Sequence, residues 1–172
     1  SCILHLETST KVCSVAASQD GACIFSKEDL NGPSHAVELG IFVDEALSFI
    51  DTHAIPLDAV AISCGPGSYT GLRIGSSMAK GICYGRNINL IALSTLEIMC
   101  VPILLYHELP EDALLCPMLD ARRMEVYAGI YDRALNIVRP ISADVIEEGA
   151  YKEYLDKHPV YFFGDEMPKC KE

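Results

Sequence analysis

The stretch Cys64-Gly65-Pro66-Gly67-Ser68-Tyr69-Thr70-Gly71-Leu72-Arg73-Ile74-Gly75 restricts the fold more than any other part of the chain. It follows an apolar run, Ala59 to Ser63, and opens a segment of helical period, which predicts a strand, a tight loop and a helix. Two glycines flanking a proline let the backbone turn sharply off a buried strand, because glycine tolerates positive φ and proline presets its own. Ser68 or Thr70 can cap the helix, whose first N–H groups then face the loop and could hold an anion or dock another backbone. The phosphate-loop patterns fail on spacing: Gly71 comes one residue late for G-x-G-x-x-G, and no Gly-Lys-Ser/Thr ending marks a Walker A loop. Spacing alone therefore favours a structural turn with a closely packed helix over nucleotide binding. Gly71, Gly75 and Ala79, four apart on one helical face, invite close packing either by a helix of a partner or by the interior of their own lobe.

With 172 residues and 50% hydrophobic content, the chain can bury a substantial core as one domain or two small lobes. Lys plus Arg total 13 against 24 for Asp plus Glu, giving −11, and no basic stripe appears, so tight binding of nucleic acid by this chain alone is not expected. Eight cysteines sit mostly in apolar runs with no C-x-x-C pair, the pattern of small buried hydrophobes in a reducing cytoplasm. The five histidines are scattered without metal-ligand spacing, and the apolar run Ile98 to Tyr106 is far shorter than the roughly 18 residues of a membrane span. A soluble, cytoplasmic, metal-free and cofactor-free protein is expected.

Along the chain, Cys2 to Glu7, Val12 to Ser18 and Ala22 to Leu30 read as a β-meander. Ser34 can cap a helix from His35 to Asp51 whose stripe is Leu39, Val43, Ala46 and Ile50; Val37 and Ile41 fall outside that stripe, beside Gly40. A lone histidine next to a cap, His35 is assigned no catalytic role. The strand into the glycine loop, its helix to Gly85, a strand at Leu90 to Ser94 and a helix from Thr95 to about Leu105, bent or ended near Pro102, complete a first lobe, residues 1–106. In a second lobe, 107–172, the hairpin Leu114 to Asp120 and Glu125 to Tyr131 repeats the opening meander, followed by a strand near Ile141, a short helix near Tyr151 and a strand Val160 to Gly164. An α/β fold with internal duplication is predicted.

Glu7-Thr8-Ser9-Thr10 after an N-terminal strand, the glycine loop from Gly65 to Gly75, and Asp120-Ala121-Arg122-Arg123-Met124-Glu125-Val126-Tyr127 together resemble the TsaB (YeaZ) family of bacterial tRNA threonylcarbamoyladenosine biosynthesis proteins. The resemblance covers nearly the whole chain. It implies an actin/Hsp70/sugar-kinase-like (ASKHA) fold of two βββαβα-type lobes. The family usually continues past a Gly-Asp pair like Gly164-Asp165, which implies an incomplete second lobe.

The family role that the resemblance implies is non-catalytic: pairing with the larger paralogue TsaD, which transfers a threonylcarbamoyl group to tRNA adenosine, with the ATPase TsaE joining, and self-pairing when TsaD is absent. Where the paralogue has an N-H-x-x-x-H metal motif, this chain has Ser94-Thr95-Leu96-Glu97-Ile98-Met99, so no imidazole pair is available. The nucleotide-like loops look degenerate: Glu7, Thr8, Ser9, Gly65, Pro66 and Gly67 in the first lobe, Asp120 and Arg122 in the second, with Arg122-Arg123-Met124 in place of glycines. The two arginines could contact an anion or simply be solvated turn residues. The residues expected to face the partner are Val37, Gly40, Ile41, Gly71, Gly75, Met78 and Ala79. The alternative class is a small phosphotransferase or glycoprotease-like enzyme of the same fold.

Overall fold

A computed structural model describes residues 1–31, 35–121 and 123–164. The expected cap Ser34, Arg122, Cys170 and the Asp165 half of the Gly-Asp pair lie outside the described residues. The chain divides into two compact units, Ser1–Ser94 and Thr95–Glu172.

In the first unit, β1 (Cys2–Glu7), β2 (Cys13–Gln19) and β3 (Ala22–Asp29) form the meander; then follow α1 (His35–Thr52), β4 (Ala59–Ser63), α2 (Tyr69–Arg86) and β5 (Asn89–Leu93). The sheet order is β3-β2-β1-β4-β5. β1 runs antiparallel to β2 with Leu4 opposite Ala17, and parallel to β4 with Leu4 opposite Val60. Strict alternation of burial in β1 and β2 turns Leu4, Leu6, Val15 and Ala17 to one face, where they meet Leu39, Val43, Ala46 and Ile50 of α1 and Ala79 and Cys83 of α2. Both helices therefore cover the same sheet face. Each large aliphatic side chain buried there contributes about 1.5–3 kcal/mol. At their C-terminal ends α1 and α2 are tied by a two-pronged Arg86–Asp51 ion pair of 2.9 and 2.8 Å. Helix α2 stops at Asn87, which takes the left-handed conformation at φ 53° and returns its N–H to carbonyls of the last turn.

The second unit holds α3 (Thr95–Tyr106), β6 (Leu114–Asp120), β7 (Glu125–Tyr131), β8 (Ile137–Val145), α4 (Lys152–Leu155) and β9 (Val160–Gly164), with sheet order β8-β7-β6-β9. β6 is antiparallel to β7 and parallel to β9, as β1 is to β2 and β4, so the duplication read from the second hairpin extends to the following strand. Glu7 and Asp120 end the corresponding strands of the two units.

One expectation is corrected. The boundary falls at Ser94 rather than after Tyr106, because Leu96 and Cys100 of α3 are buried against Leu115, Leu119 and Tyr131 of the second sheet. The helix itself has the expected span: α3 carries Pro102 in its interior and runs through to Tyr106.

Candidate functional site

The end of β1 and the end of β4 lie side by side in parallel, so the loops that leave them meet. Glu7 Oε1 accepts hydrogen bonds from the Ser9 amide at 2.8 Å, from Ser63 Oγ at 2.8 Å and from Ser9 Oγ. Three donors to one carboxylate oxygen fix the turn after β1 and tie it to β4. Thr8 and Ser9 are both buried. The Thr8 hydroxyl is satisfied by donating to Gly71 O at 2.7 Å.

The glycine loop lands on this turn. Ser68 N, at the mouth of α2, donates to Ser9 O at 2.6 Å, and Ser68 Oγ caps the helix by accepting from Gly71 N at 3.2 Å. Gly67, at φ +156°, lies so close to Ser9 that a Cβ there would collide with its carbonyl. A Cβ at Gly75 would collide with Thr8 Oγ1. The two glycines thus exist to admit the Thr8–Ser9 turn, and the Ser68 amide, one that a phosphate would need, is taken by a carbonyl. Of the residues predicted for this site, Glu7, Thr8, Ser9, Gly65, Pro66 and Gly67 come together in one unit, with a cis bond between Gly65 and Pro66. Asp120 is exposed at the end of β6 in the other unit, where Ala121 N closes the turn onto Glu125 O at 3.1 Å.

The partner face needs revision. Gly71, Gly75 and Ala79 are buried on the side of α2 that packs inside the first unit, and Met78 is half-buried against the same core. Four-residue spacing of small side chains signals close approach, but what approaches is Thr8 and the sheet rather than another molecule's helix. Val37 and Ile41 stay exposed at 62% and 47%, and Gly40 between them is half-buried with open space where a Cβ would be. On α2 the exposed large apolar side chains are Tyr69 and Tyr84, the latter at 92%.

Two arrangements were not anticipated from the sequence. On β8, Arg139 grips Asp144 with both guanidinium nitrogens, at 2.5 and 2.9 Å, while Ser142 Oγ and Tyr151 OH each donate to the same carboxylate at 2.7 Å. Burial pushes the Asp144 carboxyl up, but these hydrogen bonds outweigh it and hold the group down at about 2. Burial and the bond to Asp144 raise the Tyr151 phenol. The cluster pins the 146–151 segment to β8; the pairing of residues five apart on an irregular strand has no sequence signature. The other is a pocket beside α2, lined by Arg73 and Lys80 among others. Among the described residues no group of three or more His, Cys, Asp or Glu side chains could hold a metal ion, and no helix is long and apolar enough to cross a membrane. Among the described residues five cysteines are buried, Cys23 and Cys64 are exposed, and none of these seven is in a disulfide.

The family model described as "TsaD: tRNA N6-adenosine threonylcarbamoyltransferase" matches residues 30–155. The tRNA threonylcarbamoyladenosine biosynthesis protein TsaB of Bacillus subtilis is 29% identical over 99% of this chain and 73% of its own length. TsaB of Haemophilus influenzae is 33% identical over 73% of this chain, and TsaB of Escherichia coli 33% over 78%. The chain spans only 51% and 56% of the lengths of those two relatives. A solved structure of a Pseudomonas aeruginosa protein with similarity to peptidase YEAZ superposes with TM-score 0.73 at 25% identity, covering 95% of this chain and 84% of that one. YeaZ from the same organism, at TM-score 0.71 and 24% identity over 96% and 84%, has the same fold, in keeping with the ASKHA-type architecture of repeated lobes. The chain belongs to the threonylcarbamoyltransferase family that the model describes, and within it to the TsaB (YeaZ) group.

Proposed function

We propose that the chain is a non-catalytic subunit of tRNA N6-threonylcarbamoyladenosine biosynthesis, acting in the cytoplasm by binding the paralogous transferase TsaD, with the ATPase TsaE joining the pair and self-pairing as the substitute when TsaD is absent. The observation that carries the reading is the docking of the two nucleotide-like loops on each other: Ser68 N bonds Ser9 O, and Gly67 leaves no room between them for a phosphate. The Thr8 hydroxyl donates to a carbonyl, Gly71 O, which cannot take its proton, and the Ser9 hydroxyl, held by Glu7, is buried at 2% exposure beneath the glycine loop. A chain without catalytic groups in these loops contributes through its surface. The outward sides of α1 and α2 supply one, with Val37, Ile41 and Tyr84 exposed, carboxylates along α1 and none on α2.

The reading is tested by reconstituting tRNA modification with purified TsaD and TsaE and quantifying the modified nucleoside by mass spectrometry. Product should form only when this protein is present. Full product without it would overturn the role.

A further inference from the structure

A pocket of about 420 Å³ opens along the flank of α2 where the end of β4 meets the helix. Its polar lining includes Cys64, Tyr69, Arg73, Ser76, Ser77 and Lys80, every one able to donate a hydrogen bond, and no carboxylate lines it. That is unusual in a chain with 24 acidic and 13 basic residues. Three cations elsewhere are matched, Lys27 with Glu45 at 3.5 Å, Arg86 with Asp51 at 2.8 Å and Arg139 with Asp144 at 2.5 Å. Among the described residues Arg73 and Lys80 have no such carboxylate, and α2 from Tyr69 to Arg86 contains none.

Arg73 is partly preorganised. Its Nη1 donates to Tyr69 OH at 3.4 Å and its guanidinium carbon lies 5.4 Å from the Tyr69 ring centroid, which limits the freedom it would lose on gripping a ligand. Arg73 and Lys80 stand seven residues apart, two turns along one helix face and about 10.5 Å along the axis, and both line this one pocket. Ser76 and Ser77 fall between them. The volume lies at the lower end of the roughly 300–1,000 Å³ of small-molecule sites.

We propose that this pocket binds a phosphate-type oxyanion, either free phosphate or diphosphate or the phosphate end of a nucleotide. It adjoins the docked loops through Ser63, whose hydroxyl donates to Glu7 at 2.8 Å, but lies on the α2 side of them and does not depend on the partner role above. The test titrates the purified protein with inorganic phosphate, pyrophosphate, ADP and adenosine at fixed ionic strength, following backbone amide shifts of residues 63–80 by NMR. Phosphate-bearing probes should shift that segment saturably, pyrophosphate more tightly than phosphate, and adenosine should not. ADP equal to pyrophosphate identifies the free anion as the ligand; ADP at least about tenfold tighter identifies a nucleotide. Arg73→Ala and Lys80→Ala should each weaken binding about tenfold or more, with melting of the free protein unchanged because both side chains are exposed. Lys80→Gln keeps the stem and serves if truncation disturbs folding. Absence of a saturable shift in residues 63–80, or binding that survives loss of both cations, would overturn the assignment.

Discussion

Replacing Gly75 with alanine drives a methyl group into Thr8 Oγ1, the buried hydroxyl that donates to Gly71 O at 2.7 Å. Overpacking of a filled site costs about 1–3 kcal/mol. Pushing the Thr8 hydroxyl off its carbonyl costs about another 1–3 kcal/mol, because it has no water to turn to. Against this stands a gain of about 1 kcal/mol from alanine's better helix propensity. The net expectation is a loss of about 1–5 kcal/mol, which for a chain of this size lowers the melting temperature by roughly 6–12 °C in the middle of that range. Thr8→Ala supplies the control, since without the hydroxyl the new Cβ would face Thr8 Cβ at 3.5 Å, an ordinary contact. Thermal unfolding of the wild type, both single variants and the double variant should then give a coupling of about 1–5 kcal/mol, equal to the wild-type loss, with Gly75→Ala nearly neutral in the Thr8→Ala background. At Gly85 a Cβ would meet nothing within 4 Å, so alanine there should instead stabilise the protein by up to about 1 kcal/mol. Wild-type melting for Gly75→Ala, or the same loss in both backgrounds, would refute the claim that the small face of α2 is shaped by Thr8.

The Asp144 carboxyl sits at about 2 in the folded chain against an ordinary 3.8, so its clamp contributes about 2 kcal/mol that is present above pH ~4 and lost as pH falls toward 2. Denaturant unfolding of the wild type and Asp144→Asn should therefore converge across that window, and a gap independent of pH would contradict the assignment. Burial, with the Glu97 charge adding to it, pushes the Cys100 thiol up to about 12, whereas Cys23 and Cys64 are exposed. Brief alkylation of the native protein near pH ~8, read by peptide mass spectrometry, should modify Cys23 and Cys64 well before Cys100; equal rates would show the α3 core to be open.

How much of this was legible depended on whether the signal was local. The meander, the Leu39–Val43–Ala46–Ile50 stripe and the strand–loop–helix at Gly65 follow from periodicity and turn chemistry within a few residues, and all stand where expected. The small face of α2 was readable as a site of close approach, but its occupant, Thr8, lies 63 residues upstream of Gly71 and is brought there only by the parallel pairing of β1 and β4. The allegiance of α3 was hidden for a related reason: the helix is apolar on every side, so no stripe told which sheet it would cover. The Asp144 clamp combines Arg139, Ser142 and Tyr151 from a strand and the following turn, residue types that elsewhere are ordinary surface groups. Glu7 and the missing glycines mark the nucleotide-like loops as departures from the usual phosphate-loop pattern in the sequence itself, whereas their mutual docking through Ser68 and Ser9 is a fact of three dimensions.

The proposed partner role is tested by calorimetric titration of the protein into TsaD, comparing wild type with a Val37→Asp, Ile41→Asp variant. Both side chains are exposed, so the variant should fold and melt as the wild type does. Saturable binding by the wild type, weakened about tenfold or more in the variant, is the expected result. No binding by the wild type, or equal affinity for the two, would contradict a subunit that works through the outward face of α1.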